Sequence, residues 1–189
     1  MKRLEKELEE KIKARVVELL KKGRPNWDLP HTLATVYWMK KLIEVEGGDE
    51  KILVSTMYLH DIGYSGLFGK VAGYDDVNSA WEKHQEIGAL KAREILADLP
   101  FSSEEVEEIV HLVGVHDKID LLKTKNEIMV MEADTLGQLD RERVVSTFSM
   151  EDRERFLDYV ESKRVPRFQT KTGKNFLKEF IEKEKEVLG

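Results

Sequence analysis

The chain contains no cysteine, which removes disulfide frameworks, iron–sulfur clusters, thiolate zinc sites and thiol nucleophiles together. Any metal it holds must be held by nitrogen and oxygen. Long apolar runs are missing as well: a stretch such as Ile52 to Leu59 falls far short of the ~20 residues that a membrane span requires. Met1 to Glu10 is of mixed charge, with no apolar segment of the signal-peptide kind, so no membrane partner and a cytoplasmic location are expected. A basic balance is lacking too. The net charge of -6 argues against wholesale nucleic-acid binding and leaves only a local basic patch open to it. With 12 Gly and 4 Pro among 189 residues and no repeat, nothing divides the chain, and one domain over 1–189 is predicted. At this length roughly 70% of the unfolded surface can leave water, so the core needs no covalent or zinc staple. Abundant Lys and Glu beside the missing Cys suggest a thermophilic source.

What is present is helical periodicity. Leu4, Leu8, Ile12, Val16, Leu19 and Leu20 recur at three and four, predicting an amphipathic first helix that stops near Gly23 and Pro25. Its apolar face serves the core or, as the alternative, a homodimer. A second helix is predicted to start after Pro30, to carry His31 and to end at Gly47-Gly48; Asp49 caps a third, Glu50 to about Asp61, apolar on most sides and therefore buried all round. Residues 62–77 hold four glycines and no sustained period, predicting a long loop of the kind that tends to be functional. Further helices are expected from Asn78 or Ser79 to Leu96, after the capping-box signature Ser102-Ser-Glu-Glu to about His116, and near 126–139, 150–162 and 173–188. Strand signals are nearly absent. The predicted class is all-α, a helical bundle.

Five histidines sit at 31, 60, 84, 111 and 116. His60 follows the most apolar helix and directly precedes Asp61, so an imidazole and a carboxylate emerge together into a low-dielectric setting where an unpaired carboxylate is costly. A cation would relieve that cost. His31 lies near a helix start, His84 in the first third of another helix, and Asp134 among apolar neighbours in Met-Glu-Ala-Asp-Thr-Leu. Singly, each is an ordinary polar or buried residue; together they suggest one shared site. His111 and His116 are five apart, about 140° round a helix, so both reach one site only if the helix ends between them, which Gly114 would allow. The period thus separates the two, and His116 is preferred as ligand, with His111 behind it or on the surface.

The ordered set His31, then His60-Asp61 in Tyr-Leu-His-Asp-Ile-Gly, then Asp134 in Glu-Ala-Asp-Thr-Leu, resembles the HD-domain superfamily of metal-dependent phosphohydrolases. The resemblance covers roughly 28–140, with helical flanks at 1–27 and 141–189. Two intervening segments, from His84 and at Val113-Gly-Val-His116, also look like that family. A second pair, His116-Asp117, is set aside as the signature because Lys-Ile-Asp rather than Ile-Gly follows it. The resemblance implies an HD-type bundle in which His31, His60, Asp61 and Asp134 hold one divalent metal, with His84 and His116 holding a second and Asp61 bridging. It also implies hydrolysis of a phosphomonoester or phosphodiester by a metal-bound hydroxide, with Asp61 and His60 as catalytic residues. Imidazole and carboxylate ligands suit Mn, Fe, Ni, Co or Zn, with Mg also open.

The substrate is less legible. Phosphate positioning needs cations, for which Lys118, Lys123 and Lys125 and the run Lys163, Arg164, Arg167, Lys171, Lys174 are available. Arg164 and Arg167 are preferred because guanidinium binds phosphate in a bidentate way; Lys118 and Asp120 are proton-donor candidates only by proximity to His116. Tyr64, Phe68 and Tyr74 in the glycine-rich segment are available to stack on a base, whereas Trp27, Trp38 and Trp81 are expected to pack between helices. Gly63-Tyr64-Ser65-Gly66 replaces the acidic residues that ppGpp hydrolases and 5′-deoxynucleotidases of the superfamily carry, and the Gly-Tyr-Pro motif of cyclic-dinucleotide phosphodiesterases is missing. A small phosphorylated, nucleotide-like substrate is the expectation. The rival readings are a non-catalytic metal- or nucleotide-binding regulatory module and a di-iron HD-type oxygenase.

Overall fold

The computed structural model describes residues 3–69 and 72–189. Two residues of the predicted 62–77 loop, Lys70 and Val71, lie outside the described residues. Eight α-helices and no strand occur among the described residues: α1 Lys6–Leu20, α2 Asp28–Glu46, α3 Glu50–Leu59, α4 Tyr74–Leu96, α5 Ser103–Val115, α6 Lys125–Leu139, α7 Met150–Tyr159 and α8 Lys171–Leu188. The class is all-α.

Local chemistry explains most boundaries. Asp49 accepts from the Ile52 N–H and caps α3; Ser102 with Glu105 and Thr124 with Glu127 form reciprocal capping boxes that open α5 and α6. Each such cap is worth about 1 kcal/mol. In α1 the stripe Leu8, Ile12, Val16 and Leu20 is buried in the main core, so its apolar face is covered within the chain.

Three of the boundaries that differ from the sequence expectation have a visible cause. Helix α2 begins at Asp28, two residues before Pro30, because proline in a first turn lacks only an N–H that has no helical partner there. Helix α4 begins at Tyr74 rather than Asn78. Its start is held by the Asp76 carboxylate on the Gly73 N–H and by Arg155 of α7, which pairs with Asp75 and lies 4.7 Å from the Tyr74 ring centroid. Helix α7 ends at Tyr159 and passes into a π-helical turn, Val160–Arg164, in which Val160 and Arg164 are buried. Such turns are frequent at functional sites.

Helix α3 is buried from Ile52 to Leu59 and lies against α2, α5, α6 and α1. Helix α2 packs closely on α6, and α4 on α5. Two glycines permit the approaches that matter: a side chain at Gly137 would meet Thr35 of α2 at 2.5 Å, and one at Gly63 would meet the His84 carbonyl of α4 at 1.8 Å. The first contact brings Asp134 to His31. The second brings the residues after α3 to His84.

Candidate metal centre

Helix α3 ends at His60, whose Nδ1 lies 2.8 Å from the Met57 carbonyl. A carbonyl only accepts, so Nδ1 carries the proton and the Nε2 lone pair faces inward. His116 ends α5 in the same manner, with Nδ1 at 2.7 Å from the Val113 carbonyl. The helix therefore continues through Gly114, and His111 stays on another face. There it is exposed and bonded to Glu127 at 2.7 Å, on the rim of a separate surface pocket, so it does not stand behind the other histidines.

Asp61 follows His60 and lies between two imidazole pairs. Its Oδ2 is 3.4 Å from His31 Nε2 and 3.3 Å from His60 Nε2; its Oδ1 is 3.7 Å from both His84 Nε2 and His116 Nε2. Asp134 Oδ1 lies 3.0 Å from His31 Nε2 and 3.6 Å from His60 Nε2. The six side chains come from five helices or their ends. Five of the six form two buried donor groups, His31, His60, Asp61 and Asp61, His84, His116, each able to hold a metal ion; Asp134 stands beside the first through His31 and His60.

The donor chemistry fits a cation. His31 and His60 face each other Nε2 to Nε2 at 3.2 Å, and His84 and His116 at 3.3 Å. With their Nδ1 atoms protonated, His60 and His116 direct lone pairs at those neighbours, an arrangement that needs a proton or a metal between the nitrogens. Burial opposes charging His60, but Asp61 and Asp134 outweigh it and raise its pKa well above the ordinary 6.5. His116 is likewise raised against burial, by Asp117 and Asp61. His84 is pushed down to about 4 by burial and by His116. Burial also opposes the charged forms of Asp61 and Asp134, yet the imidazoles, and Arg164 for Asp134, hold both carboxyls well below the carboxylate range.

Arg164 closes the centre from behind. It is 3% exposed at the side chain and donates from Nη1 to Asp134 Oδ2 at 2.7 Å and to Thr135 Oγ1 at 2.9 Å; Nη2 donates to Asp117. Burial works against its charge, but Asp117 and Asp134 raise its pKa further. Gln138, one turn after Asp134, donates to both carboxylate oxygens at 3.2 Å. Asp117 Oδ2 lies 3.7 Å from His116 Nε2 and 3.9 Å from His84 Nε2. From sequence, Asp117 is set aside with its His116-Asp117 pair and Gln138 is not named. The signals were the repeated His-Asp dipeptide and the i, i+4 spacing from Asp134.

A cavity of about 420 Å³ opens onto Asp61 and Asp117, within the size range of small-molecule sites. Tyr64, Phe68 and Tyr74 line it, with Tyr64 stacked on His84 at 3.9 Å. Trp27 and Trp81, expected to pack between helices, line it as well, whereas Trp38 packs on Phe176 and Phe180. Arg164, expected to meet substrate, does line the cavity, but both its terminal nitrogens are held by protein oxygens. Arg167 does not line it: its guanidinium donates to the Leu122 carbonyl instead. Lys118 is also outside the lining, while Asp120 and the exposed Lys163 belong to it. Arg24 and Asp28, which no sequence argument named, line the wall nearest Trp27.

Among known protein families, the model described as HD domain matches residues 29–139. No curated protein and no solved structure gave a significant match.

Proposed function

The chain belongs to the HD-domain family, and from that premise we propose that it is a divalent-metal-dependent hydrolase of phosphate esters, acting on a small nucleotide-like phosphorylated molecule. The observation that carries this reading is the position of Asp61, whose two carboxylate oxygens divide between two imidazole pairs. His31, His60 and Asp134 would hold one ion, His84 and His116 a second, and Asp61 would be shared. Bound divalent ions supply Lewis-acid charge that stabilises a phosphoryl group under attack and makes water a better nucleophile at neutral pH. Imidazole-rich donors favour Mn, Fe, Co, Ni or Zn.

The rest of the work falls to the chain. The carbonyls of Met57 and Val113 hold the protons of His60 and His116 on Nδ1, so that Nε2 stays free to coordinate. Arg164 fixes the Asp134 carboxylate at Oδ2, the oxygen away from His31, and Gln138 donates to both of its oxygens. The aromatic side chains of the wall offer flat faces for a base, with Tyr64 already stacked on His84.

The test is a panel of phosphate esters assayed on protein loaded with Mn, Fe, Co or Ni. Phosphate release that disappears in His60→Ala and Asp61→Ala is the expected result. Tight nucleotide binding without turnover would make the chain a regulatory module, and oxygen consumption by the iron-loaded form would make it an oxygenase; either outcome overturns the proposal.

A further inference from the structure

Arg24 follows α1, between Gly23 and Pro25, and is only 6% exposed. Its guanidinium carbon lies 3.9 Å from the Trp27 ring centroid and 4.7 Å from that of Phe148, and all three residues line the cavity. Stacking occupies the faces of the guanidinium and leaves its edge N–H groups over. Two of these, Nε and Nη2, are buried and have no hydrogen-bond partner. The other guanidinium groups of the wall are committed: Arg164 to Asp134 and Asp117, Arg141 to both oxygens of Glu184. The neighbouring carboxyl, Asp28, takes the Arg24 backbone N–H with Oδ2 at 2.6 Å and forms no ion pair with the guanidinium. Burial lowers the Arg24 pKa to about 10, which still leaves it charged at neutral pH.

A buried cation in a cavity wall whose bonding edge has no partner is poorly explained by packing alone, since an uncharged side chain would fill the same space without the desolvation cost. We propose that Arg24 is an anion anchor of the cavity, its unpartnered Nε–Nη2 edge receiving two oxygens of a phosphate group of the substrate once a small shift of the side chain brings that edge to the cavity. That edge matches the fork geometry by which guanidinium holds oxyanions. Trp27 also stacks on His31, with ring centroids 5.5 Å apart, so one indole links the anchor to the first donor group. The naming of phosphate rests on the hydrolase reading; the oxyanion pocket rests on the guanidinium itself.

The experiment uses the manganese-loaded full chain as wild type, R24Q and R24K, with inorganic phosphate as the probe. Phosphate affinity is measured calorimetrically, metal content by mass spectrometry and Tm by thermal melting. R24Q should lose about ten- to a hundredfold in phosphate affinity, keep its metal content and melt no lower than wild type, because an unpaired buried charge has gone. R24K should recover only part, since an ammonium lacks the planar fork. Phosphate affinity equal to wild type in folded R24Q, or within twofold of wild type in R24K should R24Q not fold, overturns the inference. The two proposals fail separately. Arg24-dependent phosphate binding with no ester hydrolysed removes the hydrolase reading alone, and hydrolysis with a KM unchanged in R24Q removes the anchor alone.

Discussion

His60 and His116 hold equivalent places: each ends a helix, each gives its Nδ1 proton to the carbonyl three residues back, each turns Nε2 inward, and each is followed by an aspartate. Their rings meet edge to face with centroids 5.2 Å apart. The last carbonyls of a helix lack helical partners, and here the imidazoles satisfy one at each end while being aimed by it. The centre is thus two similar halves meeting at Asp61.

Replacing the shared carboxylate should disturb both halves, and replacing the second aspartate only one. Asp61→Asn is expected to bring bound metal below one ion per chain. Asp117→Asn should retain one and bind the second about 10–100-fold more weakly. Metal stoichiometry by mass spectrometry after dialysis checks both, and two tightly bound ions in Asp61→Asn would contradict the shared role.

Arg164 is the cation between two buried carboxylates. Removing one partner of such a cluster leaves uncompensated charge, so Arg164→Met should destabilise the metal-free protein by about 3–5 kcal/mol. Manganese should restore part of that loss, because bound cations take over some of the compensation. Urea unfolding with and without manganese measures it; an equal loss in both conditions would argue that no ion reaches Asp134.

Metal retention should depend on pH. His60 and His116 are raised above 6.5, burial opposing and the adjacent carboxylates prevailing, so protons compete with metal for their Nε2 atoms and affinity rises with pH. Metal affinity is therefore expected to fall already from above pH 6.5, the ordinary imidazole value, with the metal lost on further acidification. Full occupancy after dialysis at pH 4 would contradict the ligand assignment.

Far from the centre, Glu127 gives a second pH signature. Burial opposes its ionisation, but His111 and the N–H groups of Lys123 and Thr124 hold its carboxyl down to about 2, from an ordinary 4.5. A depressed acid contributes its stability above the unfolded pKa. That contribution is therefore complete above about pH 4.5 and disappears as pH falls toward 2. Glu127→Gln should lower stability at pH 7 by about 1–2 kcal/mol and flatten the acid side of the Tm profile. A profile parallel to wild type between pH 2 and 4.5 would count against it.

The sequence by itself determined the helical class, most helix limits, the caps at Asp49 and Ser102 and the His60-Asp61 signature, because apolar spacing, caps and that dipeptide act between residues a few positions apart. It also excluded thiolate metal sites outright. Tertiary packing decided what no local pattern carries: that Asp117 reaches Arg164 across 47 residues, that Arg155 helps start α4 early through Asp75, and that Trp27 and Phe148 enclose Arg24. Charged side chains are long and follow the nearest partner in space. Whether Arg164 faces a ligand or a carboxylate is therefore settled by how α6 and the turn after α7 come together, and composition carries no trace of that.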